Sequence, residues 1–262
     1  MCTGSCEQIP QISCTLVNYY RTFISPTFAI TMMDILPNDE LFPGLRKKAA
    51  FKQEVYRTTL ESFRLFKSVL AEMAEEYRQK FKADSLHIPF EYHDKGEFEA
   101  ELRFGGDILI FTMHTNVFEF SRDHEVMKTS YIHADTSRSY CGIIMIFNFL
   151  ADSFKYNRMN DLGYMIGRIF VNKENHYFVE GKREVGQLYN NFQSSVITRE
   201  SVRMILESAI RYTCNFDLLT PPYDALKMIT VADIQNTLDN MKMTTGKRLG
   251  FRFQGDHEEF SM

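Results

Sequence analysis

Tryptophan is absent from these 262 residues, and no N-x-[ST] acceptor, C-x-x-C pair or long apolar run occurs anywhere. A spanning helix needs about 20 consecutive apolar residues, so no membrane partner is expected. The opening Met1-Cys2-Thr3-Gly4-Ser5-Cys6 lacks the basic and apolar regions of a signal peptide. The five cysteines are Cys2, Cys6, Cys14, Cys141 and Cys214, an odd count in a chain of this length. A secreted disulfide framework shows an even count in a shorter chain, so reduced thiols and a cytoplasmic location are expected. Cys2-x-x-x-Cys6 with Cys14 is not a standard zinc-knuckle spacing, and no metal site is expected.

Catalytic signatures are missing too. Gly181-Lys182 and Gly246-Lys247 are each followed by arginine, and His176 and Met241 stand where a phosphate-cradling loop needs glycine. There is no G-x-G-x-x-G, G-x-S-x-G, H-E-x-x-H or EF-hand loop. The cofactor, if there is one, is therefore unknown. The net charge of −4 and the short, scattered basic clusters Arg46-Lys47-Lys48, Lys182-Arg183 and Lys247-Arg248 argue against a nucleic-acid partner.

What is present is a chain with 44% hydrophobic residues, 23 Phe, 13 Tyr and 14 Met. That is enough to build a sizeable core without staples, and its aromatic bias favours sheet. Phe51, Val55, Thr59, Phe63, Phe66, Leu70, Met73, Tyr77 and Phe81 recur at steps of three and four, which predicts one amphipathic helix over about 45–83. Phe42-Pro43-Gly44 reads as the punctuation before it.

From residue 86 the period falls to two. Leu86–His93 and Glu97–Phe104 read as strands joined at Asp94-Lys95-Gly96, with Pro89 marking the first as an edge. Asp107–Phe120 is one long β-prone run. Gly142–Leu150 suits a central strand or a buried helix, and Gly163–Val171 with His176–Glu180 forms a last hairpin. Helical periodicity returns at 199–213 with Val202, Ile205, Ala209 and Tyr212 on one face. It returns again after Thr230 with Val231, Ile234, Leu238 and Met241, and Leu249–Phe253 reads as a short final strand.

This order predicts an α+β fold: a long amphipathic helix, an antiparallel sheet of five or six strands in meander order, then C-terminal helices. Residues 1–44 read as an irregular segment. Residues 45–262 read as a single domain, with helix 45–83, sheet 86–181 and a helical part 182–262. The layout resembles sensory modules of the PAS or GAF kind in architecture alone, with no accompanying sequence motif.

Polar residues that interrupt apolar strand faces are the candidate site. If Asp107–Phe120 is regular, His114 and Asn116 share a face with Ile108, Ile110, Phe118 and Phe120. A buried imidazole and amide need partners, and a ligand can supply them. Arg168 shares a face with Ile166 and Phe170, where it can clamp an anionic group or pair with Glu180 on the next strand. Tyr164 and Tyr177 are expected to line the same place. His124, His133, Cys141 and Asp152 are dispersed acid–base or nucleophile candidates.

Three functions follow as expectations. The first is a non-enzymatic small-molecule-binding or sensory module with a closed apolar pocket between sheet and helices. The second is an interaction or scaffold protein, homodimeric through the long helix. The third is a hydrolase or transferase whose catalytic residues are dispersed along the chain.

Overall fold

The computed structural model describes residues 38–86, 88–159, 161–182, 185, 191–218, 220, 223–228 and 230–232. Two compact units divide the chain after Lys48. In the first, residues 40–48 are helical and almost wholly exposed. The second, from Ala49, holds the sheet.

Helix α1 spans Asn38–Lys80, so it begins before the expected residue 45 and carries Pro43 inside it. Pro43 lies in the second turn, where few ladder bonds precede it, so the missing amide interrupts little of the helix. Along the expected stripe Val55, Thr59, Phe63, Phe66 and Leu70 have no exposed surface. Burying each large apolar member stabilises by about 1.5–3 kcal/mol. Phe81 follows the last helical residue and is exposed.

The strands are β1 (Phe90–Gly96), β2 (Glu99–Phe104), β3 (Asp107–Met113), β4 (Phe118–Glu119), β5 (Tyr140–Leu150), β6 (Tyr164–Asn172) and β7 (Tyr177–Gly181). They form one antiparallel sheet in the order β1-β2-β3-β5-β6-β7, with β4 pairing β5. The architecture is α+β, and the run at 142–150 is a strand. Helix α4 (Arg199–Cys214) follows the sheet and starts with a capping box. Thr198 Oγ1 accepts from the Ser201 amide, and Ser201 Oγ accepts from the Thr198 amide. The short helices α2 (Ser130–Ala134), α3 (Ala151–Lys155) and α5 (Tyr223–Leu226) and the 3-10 turns Glu125–Lys128 and Thr136–Ser139 complete the named elements. Val231 and Ala232 are helical. The rest of that stripe, the strand expected at 249–253 and Cys2, Cys6 and Cys14 lie outside the described residues.

One face of the sheet packs on the helices. Leu102, Leu109, Phe111, Ile144, Ile146 and Ile169 meet Phe63, Phe66 and Leu70 of α1, together with Val202, Ile205 and Ala209 of α4. The space in which a closed ligand pocket was expected is therefore filled by fully buried side chains. The helix stripe expected to join two subunits is likewise covered by the chain's own sheet.

Among the described residues the second face is covered at its two ends and open between them. At one end Ile108 is buried and its strand partner Phe149 packs against Gly163 and Phe154. At the other, Phe120, Val126, Tyr131 and Ile132, from the β4–β5 connection, pack with Phe192 onto Cys141, Ile143 and Phe170. A polar clasp holds this cover on the β6–β7 turn. Fully buried Asn172 donates to the Tyr131 hydroxyl (2.9 Å) and accepts from the amides of Glu174 and His176 (3.0 Å each). Tyr131 donates to Glu174 (2.8 Å), which also receives Arg138 Nε (3.0 Å). Lys173 donates to Asp135 (2.8 Å).

The β1 edge is guarded, and the β7 edge is guarded at its start. β1 is an edge, as Pro89 implied, but it begins at Phe90 because residues 81–86 are taken up by turns and bends. Asp84 N donates to Phe81 O, Leu86 N to Asp84 Oδ1 and Ile88 N to Leu86 O. The hairpin turn falls at Glu97-Phe98 rather than at Asp94-Lys95-Gly96. Asp94 Oδ1 accepts from Gly96 N (3.0 Å) in a bulge, and Gly96 has φ +125°, open only to glycine. Lys67 bonds both Asp94 Oδ1 and Gly96 O. A bulge with a lysine blunts an edge. At the other edge the Tyr177 amide donates to Ser195 O (2.9 Å), and His176 bridges to Val196.

Candidate functional site

The part of the second face that no described element covers is a patch read from the strand register. Ile110, Phe147 and Met165 pair across β3, β5 and β6. In the neighbouring row Thr112, Met145, Arg168 and Glu180 pair across β3, β5, β6 and β7. Met165 is 43% exposed, and Ile110, Met145 and Phe147 are half-buried. Glu101 and Arg103 stand toward β1, so the apolar row lies between two charged margins.

At the β6–β7 end the patch opens into a cleft of about 420 Å³ lined by Met165, Arg168, Glu180 and Lys182 with the backbone of Gly167 and Gly181. These two glycines pair directly, and Val185 packs on them at 3.0 Å from where side-chain carbons would stand. A side chain at either position would have to displace Val185.

The polar wall of the cleft is a relay of three residues. Arg168 Nε donates to Glu180 Oε2, as the sequence suggested. His124 Nε2 lies 2.8 Å from Glu180 Oε1. His124 also caps the 3-10 turn Glu125–Lys128, its Nδ1 accepting from the Val126 amide at 3.2 Å. With Nδ1 an acceptor, the ring proton resides on Nε2 and is donated to the carboxylate. Phe120 and Phe178 pack on the imidazole with ring centroids 4.7 and 5.8 Å away. Arg168 rests its guanidinium 5.1 Å from the Phe170 ring. Its two terminal amino groups make no hydrogen bond to a described residue.

The other expected members of the site are elsewhere. Tyr164 and Tyr177 belong to the helix-facing side, Tyr177 buried in the core and Tyr164 edge-on to Phe216 at 5.4 Å. Strand parity predicts this, because each is an odd step from the Arg168 face once the bulge between Ile146 and Phe147 is counted. His114 and Asn116 do not sit on a regular strand. Met113 pairs with Ile144 and Phe118 with Cys141, so residues 114–117 oppose only residues 142–143. In this excursion His114 Nδ1 accepts from the Asn116 amide (3.0 Å), and the ring is edge-on to Phe118. β5 stands between this turn and Arg168, two strand spacings or about 10 Å.

The geometry bears directly on catalysis. His124 and Glu180 do meet, but both ring nitrogens are occupied, so neither is open to take a substrate proton. Cys141 is buried, and burial pushes its thiol well above the ordinary range, which keeps it protonated. Asp152 and His133 are exposed on short helices. No group of three metal-ligating side chains occurs among the described residues.

His124 could be named from the sequence only as one member of a charged loop. Met165 and Lys182 gave no signal at all, because their role depends on which stretch of the sheet face is left uncovered. Comparison with known proteins finds no family model, no curated protein and no solved structure that matches the chain. Among the described residues, no helix is long and apolar enough to cross a membrane.

Proposed function

We propose that the protein is a non-enzymatic binding module that holds a small amphipathic molecule on the open face of its sheet. The observation that carries this reading is the half-exposed row Ile110–Phe147–Met165, running into a cleft of about 420 Å³. Small-molecule sites have about 300–1,000 Å³. A stable protein interface needs about 800 Å² from each partner, far more than one row of half-buried side chains supplies. Strand addition at β1 is disfavoured because its bulge and Lys67 blunt that edge. Free Cys141 and Cys214 support the cytoplasmic setting that belongs to this reading.

The test is a methyl NMR titration with 1-octanol on protein labelled at the methionine methyls. Met145 and Met165 should shift progressively and saturate, whereas Met73 of α1 and Met113 of β3, both buried in the core between helix and sheet, should not. Shifts confined to the buried methionines, or no saturable shift, would sink the proposal.

A further inference from the structure

We infer that the cleft selects ligands with an oxyanion head, a carboxylate or phosphate, and that Arg168 is the residue that binds it. This rests on the open-face reading and names the ligand class for it. The charges that line the cleft do not balance: Arg168 and Lys182 are cationic, and Glu180 alone is anionic. Glu99, the acid at the far end of the Arg168 row, is separated by three strand spacings, roughly 14 Å, beyond the screening length of physiological salt. A monoanionic head restores neutrality.

The guanidinium is also presented in the right way. Glu180 engages Arg168 through Nε, on the side of the fork away from the paired terminal amino groups. That leaves the edge that pairs two nitrogens with two oxygens. Glu180 in turn is oriented by His124, and His124 by the backbone of the turn it caps. The arginine is thus held before a ligand arrives, which removes part of the ordering cost of binding. Met165, on the same strand, places an apolar surface beside the head site. An alkyl chain that leaves the head along Met165 and Phe147 stays on the patch.

His124 is on this account a positioning residue. Its loss should cost selectivity between charged and neutral ligands rather than affinity for the alkyl chain.

The experiment compares octanoate, octyl phosphate, 1-octanol and octylammonium by the same methyl titration of the full chain. Octanoate and octyl phosphate should bind about tenfold or more tighter than 1-octanol, a difference of about 1.4 kcal/mol. Octylammonium should bind more weakly than 1-octanol. Arg168→Gln should erase the anion preference while leaving 1-octanol binding intact, and that retained binding also shows the variant to be folded. Arg168→Lys should keep a reduced preference, and His124→Gln should narrow it. If 1-octanol binds at Met165 but octanoate binds no better, this inference fails and the open-face reading stands. If no probe shifts Met145 or Met165, both fail. An anion preference that survives Arg168→Gln would overturn the role of Arg168.

Discussion

Gly142 lies directly against Thr59: a side-chain carbon at 142 would stand 2.7 Å from both Cβ and Cγ2 of Thr59. Thr59 cannot turn aside, because it is fully buried and its hydroxyl donates to Val55 O at 2.8 Å within α1. The missing side chain at 142 lets the long helix seat on the central strand. Gly142→Ala should therefore lower stability by about 1–3 kcal/mol, the ordinary cost of overpacking a core. Adding Thr59→Ala should recover part of it. Urea denaturation of the single and double variants gives the numbers, and additive losses would contradict a direct clash.

Asn172 is the centre of the clasp that holds the β4–β5 connection on the sheet. Asn172→Ala leaves the Tyr131 hydroxyl and the amides of Glu174 and His176 short of a partner in a buried site. The expected loss is about 2–4 kcal/mol, since each unsatisfied buried group costs about 1–3. Hydrogen exchange should show faster opening of 125–139 in this variant, with residues of β2 and β3 unchanged.

The same clasp sets an acid limit. The Lys173 ammonium beside Asp135, aided by Ser137, holds the Asp135 carboxyl well below the usual range. Burial alone would raise Glu174, but the hydrogen bonds from Tyr131 and Arg138 outweigh it and the net shift is downward. A depressed carboxyl contributes stability that is fully present above its unfolded value of about 4 and is lost as pH falls through the folded one. Thermal midpoints should therefore fall as pH drops below about 4. Asp135→Asn should start lower at neutral pH and decline less steeply on acidification.

An alkaline limit follows from two phenols. Burial pushes Tyr131 up to about 12, with an added contribution from Glu174, and burial together with Asp94 does the same for Tyr92. A raised group stabilises below its unfolded value, about 10 for tyrosine, and that contribution is lost as pH rises toward 12. Ultraviolet titration of phenolate should show Tyr92 and Tyr131 lagging the first wave, with Tyr140, raised by its bond to Glu119, also late, and stability should fall across this window. Tyr131→Phe should remove one lagging phenol.

The sequence by itself determined the parts governed by local period. The stripe Val55–Leu70 has a three–four spacing because one side of a helix must face a core, and it does. Pro89 marked an edge because it lacks an amide. The pairing of Arg168 with Glu180 followed from two alternating runs joined by a short turn. The tertiary structure alone decided what local period does not encode. One extra residue at a bulge, or two at 114–117, changes what a side chain meets without changing the composition of the strand. That is why His114, Asn116 and Tyr164 stand away from Arg168; Tyr177, paired with Val171 three residues from Arg168, lies on the other face by plain alternation. Whether a sheet face is a core or a surface depends on what covers it. Here the cover is a connection of some 20 residues, Phe120–Ser139, whose apolar anchors follow no helical or strand period. It closes one end of the face and brings His124 to Glu180. The β5–β6 connection closes the other end over Phe149, and the stretch between, beside Arg168, is left open because no described element covers it.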